Sequence, residues 1–321
     1  MSMRHNMNAF GPQALAVLAT AMAAYAQPYA YVSNEMGNDV TVVNRATNAI
    51  TATIPVSGAG LSGLAITPNG AYLYVAEQSK NSVAVISTAT NSVVATIPVG
   101  TGPVQIAITP NGATAYVANE QSNTVSAINT ATNTVVATIP VGTKPVGIAA
   151  TLDGKGVLVS NLQSSNISVI GTLNNTVHAT WTALSGPTGI GLSPQGGIAY
   201  VANQYANSVT VYNLATGSIT NTITGFSAPN SVAVTPNGSE LYVTNGNSSS
   251  VAVVSTSSAE ITAKVPVGLL PTSAAVSADG TRVYVTSAYG YSLAEINTAA
   301  NTVTFTLVHV GIYPFSVVSY H

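Results

Sequence analysis

Residues 103–144 alternate short apolar, β-branched runs with tight polar breaks: "PVQIAITPNG", "TAYVANEQSN", "TVSAINTATN" and "TVVATIPVGTK". Each run is too short for a helix and rich in the valine, isoleucine and threonine that suit a pleated, half-buried surface. The pattern predicts four strands, named A, B, C and D in chain order. Asn-Gly in "TPNG" (67–70, 109–112, 235–238) predicts a tight type I′ turn between A and B, with positive φ at both central residues.

The same four-run pattern recurs along the chain. Residues 87–103, "STATNSVVATIPVGTGP", differ from residues 129–145, "NTATNTVVATIPVGTKP", at only three positions. The tetrapeptides YVSN (31–34), YVAE (74–77), YVAN (116–119), LVSN (158–161), YVAN (200–203), YVTN (242–245) and YVTS (284–287) mark one register. Their spacing is 43 and then 42 five times. Seven units of four antiparallel strands predict an all-β, seven-bladed β-propeller. The first unit has no A strand before it, and the last runs on into "PFSVVSYH" (314–321). The two deficits cancel if that C-terminal strand becomes the innermost strand of blade 1, leaving the ring without open ends.

Composition narrows the function classes. Charged residues are 5% of the chain and the net charge is −2, so no cationic surface is offered to nucleic acid. No apolar run reaches the length of a membrane span. The absence of cysteine excludes disulfides and thiolate chemistry. Arg4 and His5 precede "ALAVLATAMAAYA", ending at Ala24-Tyr25-Ala26. This predicts a secretory signal peptide over 1–26 and a propeller over 27–321, exported to the periplasm, the cell surface or the medium.

YVTN, together with "TATNTVVATIPVG" and "GPxxIAITPNG", resembles the YVTN family of β-propeller repeats over residues 29–321. The resemblance implies a propeller and an export address, the family being known from prokaryotic surface-layer and secreted proteins. It implies no single reaction, since fold alone never does. Unit 4 departs most, with Leu158 for the tyrosine and "TLDGKGV" for "TPNGATA".

Repeats supply their own control, because every unit solves the same packing problem. A–B and C–D turns share one rim and stay near TPNG and NTATN. B–C and D–A loops share the other, and there the copies diverge. Blades 1 to 3 place Glu35, Glu77 and Glu120 in the B–C loop, with Lys80 and Lys144 nearby. Blades 5 to 7 place Tyr205, Tyr289 and Tyr291 there, their D–A loops add Phe226, Leu269, Leu270, Ile312 and Tyr313, and Phe315 starts the closing strand. Either the loops have drifted, or this face binds a ligand. In the second case tyrosines stack on sugar faces or peptide side chains, while carboxylates and the amides of Gln78, Gln121, Gln163 and Gln204 supply hydrogen bonds.

Three residues break their columns. On the channel wall, Gln105 stands where the other blades have Gly63, Gly147, Gly189, Ser231, Ser273 and Ser316; a solvated amide in the channel mouth is the simpler expectation. Glu295 occupies a C-strand column of valines and alanine, and must pair, protonate or reach water. Trp181 replaces the isoleucine of "ATIPV" as a bulkier packing residue.

Catalytic signatures are sparse. No histidine pair has metal-ligand spacing, and neither a phosphate loop nor a nucleophile elbow occurs. Glu35, Glu77 and Glu120 could gather a hard cation only if three blades converged, and Lys80 argues against it. No metal or other cofactor is expected. The favoured reading is a non-enzymatic exported scaffold that binds an envelope or extracellular glycan or protein. The alternatives are a lyase or lactone hydrolase using Glu35, Glu77 or His309 on the same face, and a structural surface-layer subunit.

Overall fold

A computed structural model describes residues 29–58 and 60–319; the leader expected over 1–26 lies outside the described residues. Seven four-stranded antiparallel sheets surround one axis, as the repeat predicted. Blade 3 is typical. Pro103–Ile108 (A) is innermost, followed outward by Thr114–Asn119 (B), Thr124–Asn129 (C) and Thr134–Pro140 (D). The seven A strands contact their neighbours in an unbroken cycle. Blade 1 takes its A strand from Pro314–Ser319, which pairs antiparallel with Tyr29–Asn34 from Ala30↔Ser319 to Asn34↔Pro314.

Burial explains the sequence pattern strand by strand. B and C strands are covered on both faces by neighbouring blades, so they read as nearly continuous apolar runs. D strands face solvent on one side and alternate. A bulge interrupts each C–D pairing, in blade 3 between Ala127 and Ile128. Bulges twist the outer edge and make it a poorer template for pairing with another chain.

The A–B turns are not type I′. Gly70 N–H donates to the Thr67 carbonyl at 2.7 Å, so Pro68 and Asn69 are the central pair. Only the glycine has positive φ (+70°). A proline ring fixes φ near −65°, which excludes the mirror-image turn. Asn69 Oδ1 instead accepts from Ala71 N–H at 3.1 Å, and Thr67 Oγ1 donates to the same oxygen at 2.7 Å.

Cores lie between blades. Tyr74, Val83, Val85 and Ile97 of blade 2 pack on Ala115, Val117 and Ile128 of blade 3. Each fully buried valine or isoleucine contributes about 1.5–3 kcal/mol relative to exposure. A polar latch crosses several seams from the YV tyrosine. Tyr74, Tyr116 and Tyr242 hydroxyls donate to Oδ1 of Asn133, Asn175 and Asn301 in the next blade, at 2.8, 2.6 and 2.6 Å. Those asparagines also take the left-handed turn position, with φ of 53°, 55° and 52°.

Between blades 4 and 5 both halves of the latch are missing together. Leu158 has no hydroxyl and Gly217 has no side chain. Trp181 fills the gap: a Cβ on Gly217 would collide with its indole, which stacks on Tyr212 at 5.8 Å. At the closing seam Glu295 is paired rather than isolated. It accepts from Arg282 at 3.1 Å, Tyr284 at 3.3 Å and Thr304 at 2.8 Å, while Arg45 lies 6.0 Å above the Tyr284 ring.

The latch yields the first test. Tyr116→Phe should cost about 1 kcal/mol, the net worth of one hydrogen bond. Tyr200→Phe should be near neutral, because Tyr200 packs with Ala259, which offers no side-chain oxygen. Equal losses in urea unfolding of the two variants would refute the latch.

Candidate functional site: a polar funnel on the loop rim

The B–C and D–A loops converge on a funnel of about 450 Å³ at the mouth of the central channel. Two rings of side chains form its wall, and chain geometry selects both. The residue after the B strand in blades 1 to 5 contributes Glu35, Gln78, Glu120, Leu162 and Gln204. The residue after each A-strand proline, or its equivalent, contributes Ser62, Val104, Val146, Thr188, Asn230, Thr272 and Phe315. Tyr313 completes the wall where blade 7 meets blade 1.

Polar contacts run around this wall. Gln78 Nε2 reaches Glu120 Oε2 at 3.5 Å, and Glu120 Oε1 lies 3.6 Å from Lys144 Nζ. Gln204 Nε2 donates to Asn230 Oδ1 at 3.0 Å. On the opposite side Glu35 N–H donates to the Tyr313 carbonyl at 2.9 Å. Tyr313 meets Tyr289 edge-on at 5.3 Å. Burial lifts the Glu35 carboxyl above its usual range. Burial also raises the Tyr313 phenol, with help from Tyr289 and Glu35 beside it.

The D–A loops carry backbone strain at selected blades. The residue before each inner strand has positive φ throughout. It is glycine in Gly60, Gly102 and Gly186, but it is Lys144 (56°), Ala228 (49°), Leu270 (52°) and Tyr313 (61°) elsewhere. Glycine is the unstrained solution at this position. Lys144 and Tyr313 therefore hold a charge and an aromatic ring at the rim at some cost in stability, as functional sites often do.

Several expected residues lie elsewhere. Glu77 is not in a loop: it ends its B strand, fully buried, in the column of Asn34, Asn119, Asn161 and Asn203. Its Oε2 accepts from Ser82 Oγ at 2.6 Å, and the D–A loop presses Gly58 against its Oε1. Phe226 is core, packed with Val232 and Ile223 between blades 5 and 6. Both corrections have one cause: loop and strand ends that look alike in sequence differ in whether the neighbouring blade covers them. Tyr205, Tyr289 and Tyr291 are exposed on the rim but outside the funnel wall. Lys80 points outward to Ser57 Oγ at 3.0 Å, and His309 is exposed at the end of its D strand. Among the described residues no cluster of three acidic or histidine side chains could hold a metal ion.

Gln105 lies in the wall as expected, yet it is not freely solvated. Its Oε1 is buried with no hydrogen-bond partner, resting where a Cβ on Gly63 would collide with it. It lines both the funnel and a smaller cavity of about 160 Å³ further down the axis. The ring of Thr188, Asn230 and Thr272 escaped the sequence reading. Its signal was present in the variable residue of "PVQ", "PVG", "PTG", "PNS", "PTS" and "PFS".

A closed seven-bladed propeller with a polar, aromatic-edged funnel on its variable rim defines the class. The chain belongs to the lactonase family of seven-bladed β-propellers, whose profile matches residues 7–138 and 171–265. No curated protein matches it significantly. Among solved structures it is similar to hydrazine synthase of Kuenenia stuttgartiensis: 23% identity and TM-score 0.77, over 84% of this chain and 92% of that one. A functionally unknown protein from Desulfotomaculum acetoxidans superposes with TM-score 0.82 at 18% identity, covering 92% and 99%. The dihydro-heme d1 dehydrogenase NirN gives TM-score 0.65 at 14% identity, covering 88% and 64%. At these identities the likeness is one of fold.

Glu35 supplies a test with a definite sign. Its folded-state carboxyl holds a proton more tightly than the unfolded chain does, so ionising it in the fold is unfavourable. The penalty is absent below the ordinary glutamate value and grows as pH rises through the folded value. Glu35→Gln should therefore raise the melting temperature relative to the parent at about pH 7.5, with the gain vanishing at about pH 3.5. A variant less stable than the parent at neutral pH would contradict the burial argument.

Proposed function

We propose that the funnel binds a small polyhydroxylated ligand of the sugar type, and that the protein is an exported carbohydrate-binding propeller. The observation that carries this reading is the wall itself. Carboxamides and hydroxyls (Gln78, Gln204, Asn230, Thr188, Thr272) share the wall with two carboxyls, Glu35 and Glu120, with the apolar Val104, Val146 and Leu162, and with an aromatic edge of Tyr313 and Phe315 beside Glu35. Neutral donor–acceptor groups match hydroxyls in either role, and aromatic rings cover the apolar face of a sugar ring. The volume suits one or two sugar rings. The leader-like residues 1–26 and the YVTN-type repeats support an extracellular or envelope setting, and a surface-layer role belongs to the same setting.

A second reading has its own support. Family membership and the raised Glu35 carboxyl favour hydrolysis of a sugar lactone, with Glu35 as the proton-accepting group for water. Glu35→Gln separates the two. A binder loses part of its affinity, whereas a hydrolase loses turnover while still binding.

The test is calorimetry and ligand-observed NMR with neutral hexoses, hexuronic acids and their lactones, on the parent and on Tyr313→Gly. That variant removes the ring and relieves the positive φ, so it should fold at least as well. At a real stacking contact its affinity should fall about tenfold. Absence of binding across the panel, or unchanged affinity in Tyr313→Gly, would overturn the assignment.

A further inference from the structure

The loop rim is chemically lopsided. Its charged side chains at blades 2 to 4 are Lys80, Glu120 and Lys144. Apart from Tyr205 at blade 5, its exposed large apolar side chains gather instead from the loop before blade 7 to blade 1. Met36 is 62% exposed, Leu269 61%, Tyr289 58% and Ile312 55%. Other exposed apolar residues, such as Val94, Val136 and Leu173, lie on the outer D strands or on the opposite rim.

These four side chains belong to neighbouring segments of backbone. Met36 N–H donates to the Ile312 carbonyl at 3.2 Å, and Gly290 N–H to the Leu269 carbonyl at 3.2 Å. Tyr313, next to Ile312 in the chain, touches Tyr289 and forms part of the funnel wall. The patch is thus continuous with the funnel. Contiguous apolar surface beside a polar cavity marks a binding surface rather than ordinary scatter.

We propose that the ligand is amphiphilic: a hydroxyl-rich head enters the funnel, and an apolar arm leaves it over Tyr313 onto Tyr289, Ile312, Met36 and Leu269. The inference rests on the funnel reading above and adds the arm. Continuity selects this occupant, because the polar wall passes into the apolar patch through Tyr313; of the carboxyls at this seam Glu35 is half-buried and Asp39 is engaged by Asn34 Nδ2 at 2.6 Å. A purely polar ligand would leave the patch wet, and a purely apolar one would leave the funnel's amides unpaired.

The probes are methyl, butyl, hexyl and octyl β-D-glucosides, each below its micelle concentration, titrated by calorimetry. The expected result is an affinity that rises at least about tenfold from methyl to octyl, since each added methylene that leaves water favours binding and the arm is only partly covered. Leu269→Asn and Ile312→Asn should flatten this dependence while leaving methyl glucoside affinity unchanged. Both positions are exposed, so folding is retained. Methyl glucoside bound with no dependence on chain length would overturn the arm and spare the funnel. A chain-length dependence that both variants keep would place the arm elsewhere and overturn the proposal. No binding by any glucoside would overturn the proposal, and the funnel reading falls with it only if the hexoses, hexuronic acids and lactones also fail to bind. A concentration-dependent dimer, abolished by Leu269→Asn in sedimentation, would assign the patch to a second copy instead.

Discussion

Pairing between Pro314–Ser319 and Tyr29–Asn34 is the contact on which the rest of the molecule depends. Each blade is a small sheet whose buried faces are covered by the blades beside it, so no blade is stable by itself. In a linear stack of seven, the terminal blades would each leave one face open. The closing strand removes both ends at once and brings Val317 into the seam with Ala30, Val32, Tyr284 and Leu293. It also ties residues at the two ends of the described chain, so the pairing must outweigh a large loop-closure entropy.

Closure and the funnel share residues. Tyr313 and Phe315, at the start of the closing strand, are the aromatic edge of the funnel. The Glu295–Arg282 pair and the Arg45–Tyr284 contact lie at the same seam toward the opposite rim. The described arginines, two in a chain with 5% charged residues, thus meet where the ring is joined, while the other seams rely on valines, tyrosine latches or one tryptophan. The repeated turns form the constant rim. The variable rim holds the strained Lys144 and Tyr313, where glycine in other blades shows what an unstrained loop would use.

Much of this was legible in the sequence. A period of 42 residues and the missing first strand determine the number of blades and the way the ring closes, because only one arrangement gives every blade four strands and leaves no blade face uncovered. The location of the variable rim followed from comparing copies. Other features depended on neighbouring blades and were not legible. Glu77 reads like a loop residue until the D–A loop is seen to cover it. Phe226 reads like a surface aromatic until blade 6 is placed over it. The paired loss of the latch at Leu158 and Gly217 makes sense only once Trp181 is seen between them. The TPNG turn departs from expectation for a local reason: asparagine-glycine favours a mirror-image turn, and the proline before it forbids one.

The central claim is that a single closing strand holds the ring shut and builds the funnel's edge. Thermal unfolding of a chain lacking residues 314–321, followed by circular dichroism, tests it most directly. Without that strand blade 1 has three strands and an open inner edge, so the cooperative transition should be lost or displaced downward by more than 10 °C, which is about 6 kcal/mol or more for a protein this size. A truncated chain that unfolds in one transition within a degree or two of the parent would show that the ring does not depend on its clasp.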